Sequence, residues 1–229
     1  MDIDWFSRQG NTRKSNNDAV AIGVKNNKLI IVIMDAAEKG INPIAFSKHW
    51  TTSLTHAFLN NPDLHSEIEA TQLLRERHKI LREQHFRLEV ASFCLVEINL
   101  NTLEGNTLWL GDCRIGIVTN NKTQWINKPH NLISQHQTTA LPNELQNPYI
   151  LTKSLKARRF QNPDFLTLAL GTVDALQLST DGYWREHIEG NVQLEQCEDD
   201  VSRLIIKNIG EKILNQTSEA FNLFILTEK

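Results

Sequence analysis

Hydrophobic positions follow two rhythms along this chain. Residues 29–34, Leu-Ile-Ile-Val-Ile-Met, are six apolar residues in a row. A run of that length between polar breakers reads as a strand buried on both faces and is too short for a helical core. It ends at Asp35. The apolar run 19–24 precedes it across a polar turn at 25–28, so the pair predicts a β-hairpin. On that reading Asp18 opens one strand and Asp35 closes its antiparallel neighbour. The two carboxylates then sit side by side and repel unless a cation lies between them. Taken singly, an Asp at a strand end also fits a cap or an Asx-turn, and position alone leaves both readings open.

The rhythm changes over 42–60, where Ile44, Phe46, Trp50, Leu54, Ala57 and Phe58 form a helical stripe. It continues over 66–90 with Ile68, Leu73, Leu74, Ile80, Leu81 and Leu88. Two amphipathic helices are expected. His49, His56, His78 and His85 lie on them among charged and polar neighbours and are assigned to solvated faces. Residues 2–10 are short and mixed, and 11–18 form a polar loop of turn formers. Residues 91–98, 106–110 and 114–119 return to strand character, with a tight turn at 111–113. Residues 124–165 hold Pro129, Pro142, Pro148 and Pro163 and read as a loop-dominated excursion. Residues 175–179 predict a strand running into Thr180-Asp181-Gly182, which repeats the arrangement at Asp35. Asp199 and Asp200 read as the acidic first turn of a helix over 201–215, and 221–226 as a last strand preceded by Glu219. This order is α+β rather than alternating βαβ. It predicts a four-layer α-β-β-α sandwich, two antiparallel sheets flanked by helices, in one domain over 1–229.

Composition narrows the function classes. Lys and Arg number 24 against 27 Asp and Glu, a net charge of −3, and no basic cluster alternates with aromatics, so no nucleic-acid partner is expected. Cys94, Cys113 and Cys197 are odd in number and widely spaced, which fits neither a disulfide framework nor a zinc knuckle and suits a reducing compartment. The opening MDIDWFSRQG lacks a basic and then apolar leader, and no apolar run approaches the ~18 residues needed to span a bilayer. A soluble cytoplasmic protein without a membrane partner is expected. Asp18, Asp35, Asp181 and Glu219 each stand at an apolar strand end beside a turn. Hard cations such as Mg²⁺ or Mn²⁺ take oxygen ligands from a few such carboxylates and keep several waters.

Five motifs in order resemble the metal-dependent serine/threonine protein phosphatases of the 2C type, the PPM family. Arg13-Lys-Ser-Asn-Asn17-Asp18-Ala19 is similar to that family's arginine followed five residues later by a metal-binding aspartate. Val32-Ile-Met-Asp35-Ala36 resembles its strand ending in Asp-Gly, and Gly111-Asp112-Cys113-Arg114 its Gly-Asp-Ser-Arg. Ser179-Thr-Asp181-Gly182-Tyr-Trp184 resembles its Ser-Asp-Gly, and Glu219-Ala-Phe-Asn222 falls where the family has Asp-Asn-x-Thr before a last strand. The resemblance implies a β-sandwich with helices outside and a centre of two Mn²⁺ or Mg²⁺ ions at one end. It also implies hydrolysis of phosphoserine or phosphothreonine in phosphorylated proteins by metal-activated water. Asp18 and Asp35 would bridge or ligate the ions, Ala36 would ligate through its carbonyl, Asp181 and Glu219 would hold one ion, and Asp112 would serve a third. Arg13 would hold the phosphate, a task suited to a planar guanidinium. The chain departs from the family at Asn17, at the turn Ala36-Ala37-Glu38-Lys39-Gly40, and at Glu219, whose arm is a methylene longer. These departures keep a competing class open, a pseudophosphatase that binds a phosphoprotein or partner without turnover.

Overall fold

The six-residue apolar run is the middle of a strand, and what lies on its two sides explains why it is apolar throughout. The computed structural model describes residues 1–61, 66–83, 86–135, 150–171, 173–217 and 220–227. In chain order the elements are β1 (Asp2–Arg8), β2 (Asp18–Lys25), β3 (Lys28–Ala36), α1 (Pro43–Leu59), α2 (Glu67–Glu83) and β4 (Val90–Asn99). They continue with β5 (Glu104–Leu110), β6 (Arg114–Thr119), β7 (Lys122–Trp125), α3 (Leu132–Gln135), β8 (Leu155–Lys156), β9 (Asp164–Ala169) and β10 (Ala175–Ser179). A π-helix (Gly182–Glu189) and a 3-10 turn (Leu194–Gln196) follow, and the chain closes with β11 (Val201–Lys207), β12 (Asn215–Gln216) and β13 (Leu223–Thr227).

Two sheets result, one ordered β12-β1-β11-β10-β6-β7 and the other β13-β2-β3-β4-β5-β9, with β8 on β4. Side chains alternate along a strand, and β3 uses both faces. Leu29, Ile31 and Ile33 join Val20, Ile22, Cys94, Leu178, Leu204 and Ile206 in the core between the sheets. Ile30, Val32 and Met34 join Phe46, Trp50, Leu54, Leu74 and Leu81 under α1 and α2. The helices thus cover the outer face of the seven-stranded sheet. On the six-stranded sheet the outer layer is thinner: the π-helix and the 3-10 turn pack on Phe6 and Val201 through Tyr183, Leu194 and Cys197. The α+β sandwich agrees with expectation, and each sheet adds one parallel pair, β1 with β12 and β2 with β13, to otherwise antiparallel ladders. Among the described residues no helix is long and apolar enough to cross a membrane, and the three cysteines are free and buried.

Several expectations are corrected. The helix expected over 201–215 is instead strand β11 over Val201–Lys207, a turn and the start of β12. Its Ser202, Leu204 and Ile206 face the inter-sheet core between β1 and β10, and Asn208 and Gly210, both at positive φ, turn the chain after it. Residues 2–8, left unassigned, are β1, whose Ile3 and Trp5 are buried. The second helix ends at Glu83 rather than 90, and Ile68 and Leu88 are exposed. His78 takes a buried place instead, its Nε2 2.8 Å from the Lys156 carbonyl oxygen, so it does not lie on a solvated face. His56 is exposed as expected, and His85 lies outside the described residues. The excursion 124–165 contains α3, β8 and the start of β9, and its residues 136–149 lie outside the described ones.

Because Leu204 is fully buried between the sheets, Leu204→Ala should cost about 2–5 kcal/mol of unfolding free energy. A loss below about 1 kcal/mol in denaturant melts would contradict its place in the core.

Candidate metal centre

The inward-facing stripes of both sheets change from apolar to polar at the same end of the sandwich. On β2 the series Ile22, Val20 continues to Asp18, and on β3 the series Ile31, Ile33 continues to Asp35, in register with Asp18 and, on the other side, with Ser92 of β4. On the facing sheet Trp5 is followed by Ser7, Leu204 is preceded by Ser202, and Leu178 is followed by Thr180. Ser7 pairs with Ser202, whose carbonyl accepts from the Thr180 N–H at 3.1 Å. The two rows meet: Thr180 Oγ1 donates to Asp18 Oδ2 at 2.9 Å, and Ser92 Oγ donates to Asp112 Oδ1 at 2.7 Å.

Tight turns bring the remaining acids in. Gly111 sits at φ +91°, and a Cβ there would lie 2.1 Å from Ser92 Oγ, so only glycine lets the β5–β6 turn place Asp112 against β4. His130 fixes the same turn, its Nδ1 accepting the Gly111 N–H at 3.1 Å. Gly182 lets the π-helix start beside β11, where a Cβ would meet the Asp200 carbonyl oxygen at 2.2 Å. Carboxylate oxygens of Asp35, Asp112 and Asp181 lie within 4.8 Å of one another. No donor reaches Asp18 Oδ1 or Asp181 Oδ1, although both are buried.

Of the residues singled out from the sequence, Asp18, Asp35, Ala36, Asp112, Asp181 and Arg13 come to this end, whereas Glu219 lies outside the described residues. Arg13 is engaged by an acid that sequence reasoning placed in a helix. Its Nε donates to Asp199 Oδ1 at 2.7 Å, its Nη2 pairs with Oδ2, and Glu38 lies 3.8 Å from Nη1. Asp199 and Asp200 open β11, not a helix. Asp200 accepts the N–H groups of Gly10 and Asn17, at 2.9 and 2.8 Å, and so closes the loop that carries Arg13. Both could have been found by the signal that found Asp18, an acid at the mouth of an apolar strand. Arg185 was also missed. It bridges Asp181, at 2.7 Å, and Asp112. Asn222 is a fourth omission in that role: its side chain accepts from Trp5 Nε1 at 3.0 Å and donates to Ser7 Oγ at 2.7 Å and to the Asp18 carbonyl at 3.0 Å.

The electrostatics follow from this crowding. Burial pushes the Asp18 carboxyl well above the usual range, and Asp200 adds repulsion. Asp35 is raised by burial of its carboxyl and then by Asp18. Asp181 is raised to about 8 by burial and by Asp112, against the pull of Arg185. Burial raises Asp200 to about 6 against its backbone donors. The donor set suits a hard divalent cation: carboxylate oxygens only, two of them buried without a donor. A cavity of about 680 Å³ opens at the other end of the sandwich beside Lys25, Lys28 and Glu97, away from these acids.

No protein-family model matches the chain, and no curated protein sequence matches it. Solved structures do. The fold is that of bacterial PPM-type serine/threonine phosphatases. A bacterial serine phosphatase superposes with a TM-score of 0.75 at 17% identity, over 92% of this chain and 99% of that one. Stp1 from Staphylococcus aureus gives 0.70 at 17%, over 90% and 94%. The PPM phosphatase MsPP from Mycobacterium smegmatis, solved with cacodylate, gives 0.68 at 15%, over 90% and 97%.

Asp181 keeps its proton to about pH 8 when folded, whereas its ordinary value is 3.8. The unfolded chain therefore binds fewer protons across that window, and metal-free stability should fall as pH rises through it. Thermal melts of chelator-treated protein should show this decline, and added Mn²⁺ should reverse it at the alkaline end by pairing the ionised carboxylates. A metal-free stability that is flat or rising over the window would contradict the crowding described.

Proposed function

We propose that this chain is a divalent-metal-dependent phosphatase that hydrolyses phosphoserine and phosphothreonine in proteins, releasing the alcohol and inorganic phosphate. The observation that carries this reading is the pair of buried carboxylate oxygens, Asp18 Oδ1 and Asp181 Oδ1, that no donor reaches. A buried carboxylate oxygen left unpaired costs several kcal/mol, and a cation removes that cost. The shared fold with proteins described as serine/threonine phosphatases, one of them holding the tetrahedral oxyanion cacodylate, supports the same class of substrate.

Asp18, Asp35 and Asp181, with the Ala36 carbonyl, would hold two Mn²⁺ or Mg²⁺ ions. Asp199 would serve in the place given to Glu219, since Asp199-Asp200-Val201-Ser202 offers the acid, polar neighbour and hydroxyl of the Asp-Asn-x-Thr pattern directly before β11. When bound, the ions supply Lewis-acid polarisation of a phosphoryl oxygen and lower the pKa of water towards neutrality. The chain's own residues orient the site. Thr180 fixes Asp18 through Oδ2 and leaves the buried Oδ1 free of any donor. Asn222 and Ser47 tie down the backbone on either side of that residue, at the Asp18 and Asn17 carbonyls. Arg13, half-buried beside Asp199, presents positive charge at the rim for the incoming phosphoryl group.

Metal-stripped protein given Mn²⁺ should release phosphate from a phosphothreonine peptide and from a small aryl phosphate, and chelator should stop both. Asp18→Asn, which removes a charge at constant shape, should lower turnover by at least about 100-fold, the upper end of what loss of a supporting group costs. No Mn²⁺-dependent release by the unaltered chain would overturn the hydrolase reading in favour of partner binding without turnover.

A further inference from the structure

Arg185 enters the acidic centre from the π-helix, a form that recurs at functional sites. Its Nη1 donates to Asp181 Oδ2 at 2.7 Å and its Nη2 pairs with Asp112 Oδ2. One planar guanidinium therefore spans two of the three carboxylates that cluster within 4.8 Å. The side chain is only 11% exposed. Its guanidinium lies 5.0 Å from the centre of the Trp184 ring, and the Trp184 indole N–H donates to the Asp112 carbonyl at 2.8 Å. The Gly190 N–H bonds the Arg185 carbonyl at 2.7 Å, an i→i+5 contact that fixes the backbone from which the side chain reaches inward. Arginine stays charged at any pH of interest. A guanidinium held by two carboxylates and an indole is a built-in cation, and a metal ion between the same two carboxylates would have to expel it.

We propose that Arg185 permanently occupies the cation position between Asp112 and Asp181. It thereby removes Asp112 from the metal-binding set and limits the centre to two divalent ions, held through Asp18 Oδ1, Asp35, Asp181 Oδ1 and Asp199. This rests on the metal-dependent reading above and specifies its stoichiometry. The hydrogen bonds agree with it: Asp181 Oδ2 is bonded to the guanidinium while its buried Oδ1 has no donor, and neither oxygen of Asp112 is left without one.

Calorimetric titration of metal-stripped protein with Mn²⁺ tests this. The unaltered chain should bind two Mn²⁺, Arg185→Gln should bind one more, and Arg185→Lys, which keeps the charge, should stay at two. Asp112→Asn should leave the count and affinities of the otherwise unaltered chain within about threefold, yet abolish the extra site in the Arg185→Gln background. Far-ultraviolet dichroism of each metal-loaded variant establishes that it is folded. Equal Mn²⁺ counts and affinities for the unaltered chain and Arg185→Gln would overturn the proposal while leaving the metal-dependent reading intact. So would a loss of more than about tenfold in affinity on Asp112→Asn alone. No uptake by either protein would overturn the metal-dependent reading, and this proposal with it.

Discussion

Two carboxylates that face each other across an antiparallel ladder repel, and the end of this sandwich is built around that repulsion. Cross-strand neighbours have Cβ atoms roughly 5 Å apart. At an effective dielectric of about 20, a unit charge pair at that distance repels by about 3 kcal/mol. Asp18 and Asp35 are such a pair. Thr180, the donor on Asp18, returns about 1.5–3 kcal/mol as a hydrogen bond to a charged group. One hydrogen bond roughly offsets one repulsion. Asp112, Asp181, Asp199 and Asp200 converge on the same place, so hydrogen bonds alone do not close the balance, and cations decide whether the centre is ionised. Arg13 and Arg185 supply part of that charge from within the chain.

The neighbouring polar groups divide the work. Asp200 is spent on backbone, holding Gly10 and Asn17. Asp199 holds Arg13, and Asp112 accepts from Ser92 and Arg185. Among the buried carboxylate oxygens at this end, one each of Asp18 and Asp181 is left without a donor. The distinction between carboxylate oxygens engaged by donors and those left without one is thus visible in the hydrogen bonds, and it would be invisible in any list of conveniently placed carboxylates.

How much of this was legible in the sequence depends on whether local or distant residues decide. The β2–β3 hairpin was legible because its arms and turn are contiguous, and its register alone sets Asp18 against Asp35. Most of the stripe of α1 was legible for the same reason, although Ile44 is exposed. β11 was misread because Val201, Leu204 and Ile205 satisfy helical spacing and Asp199-Asp200 suits a helix start, while the strands that make it a strand, β1 and β10, lie far away in the chain. Tertiary pairing overrode local preference there. Misreading β11 also hid Asp199. β1 did carry a signal, the alternation Ile3, Trp5, Ser7 against Asp2, Asp4, Phe6, but polar residues on one face diluted it. Arg185 left no trace, since Asp112 is 73 residues away and the Asp181 contact at i+4 is common on exposed helices.

The segment after β11 shows how a strand end can be held from several sides at once. β12 runs parallel to β1 in one sheet, and β13 runs parallel to β2 in the other, so residues between 215 and 227 cross from sheet to sheet. Asn222 stands on that crossing, buried, with its amide bonded to Trp5 and Ser7 of β1 and to the Asp18 carbonyl of β2. Its own carbonyl accepts the Val20 N–H at 3.0 Å. Asp18 is therefore fixed along β2 by its ladder with β3, across the sandwich by Thr180, and at its backbone by Asn222. A carboxylate held this way cannot turn outward to escape its neighbours. The repulsion that makes the empty centre costly is thus the same constraint that keeps Asp18 Oδ1 aimed where a cation would relieve it.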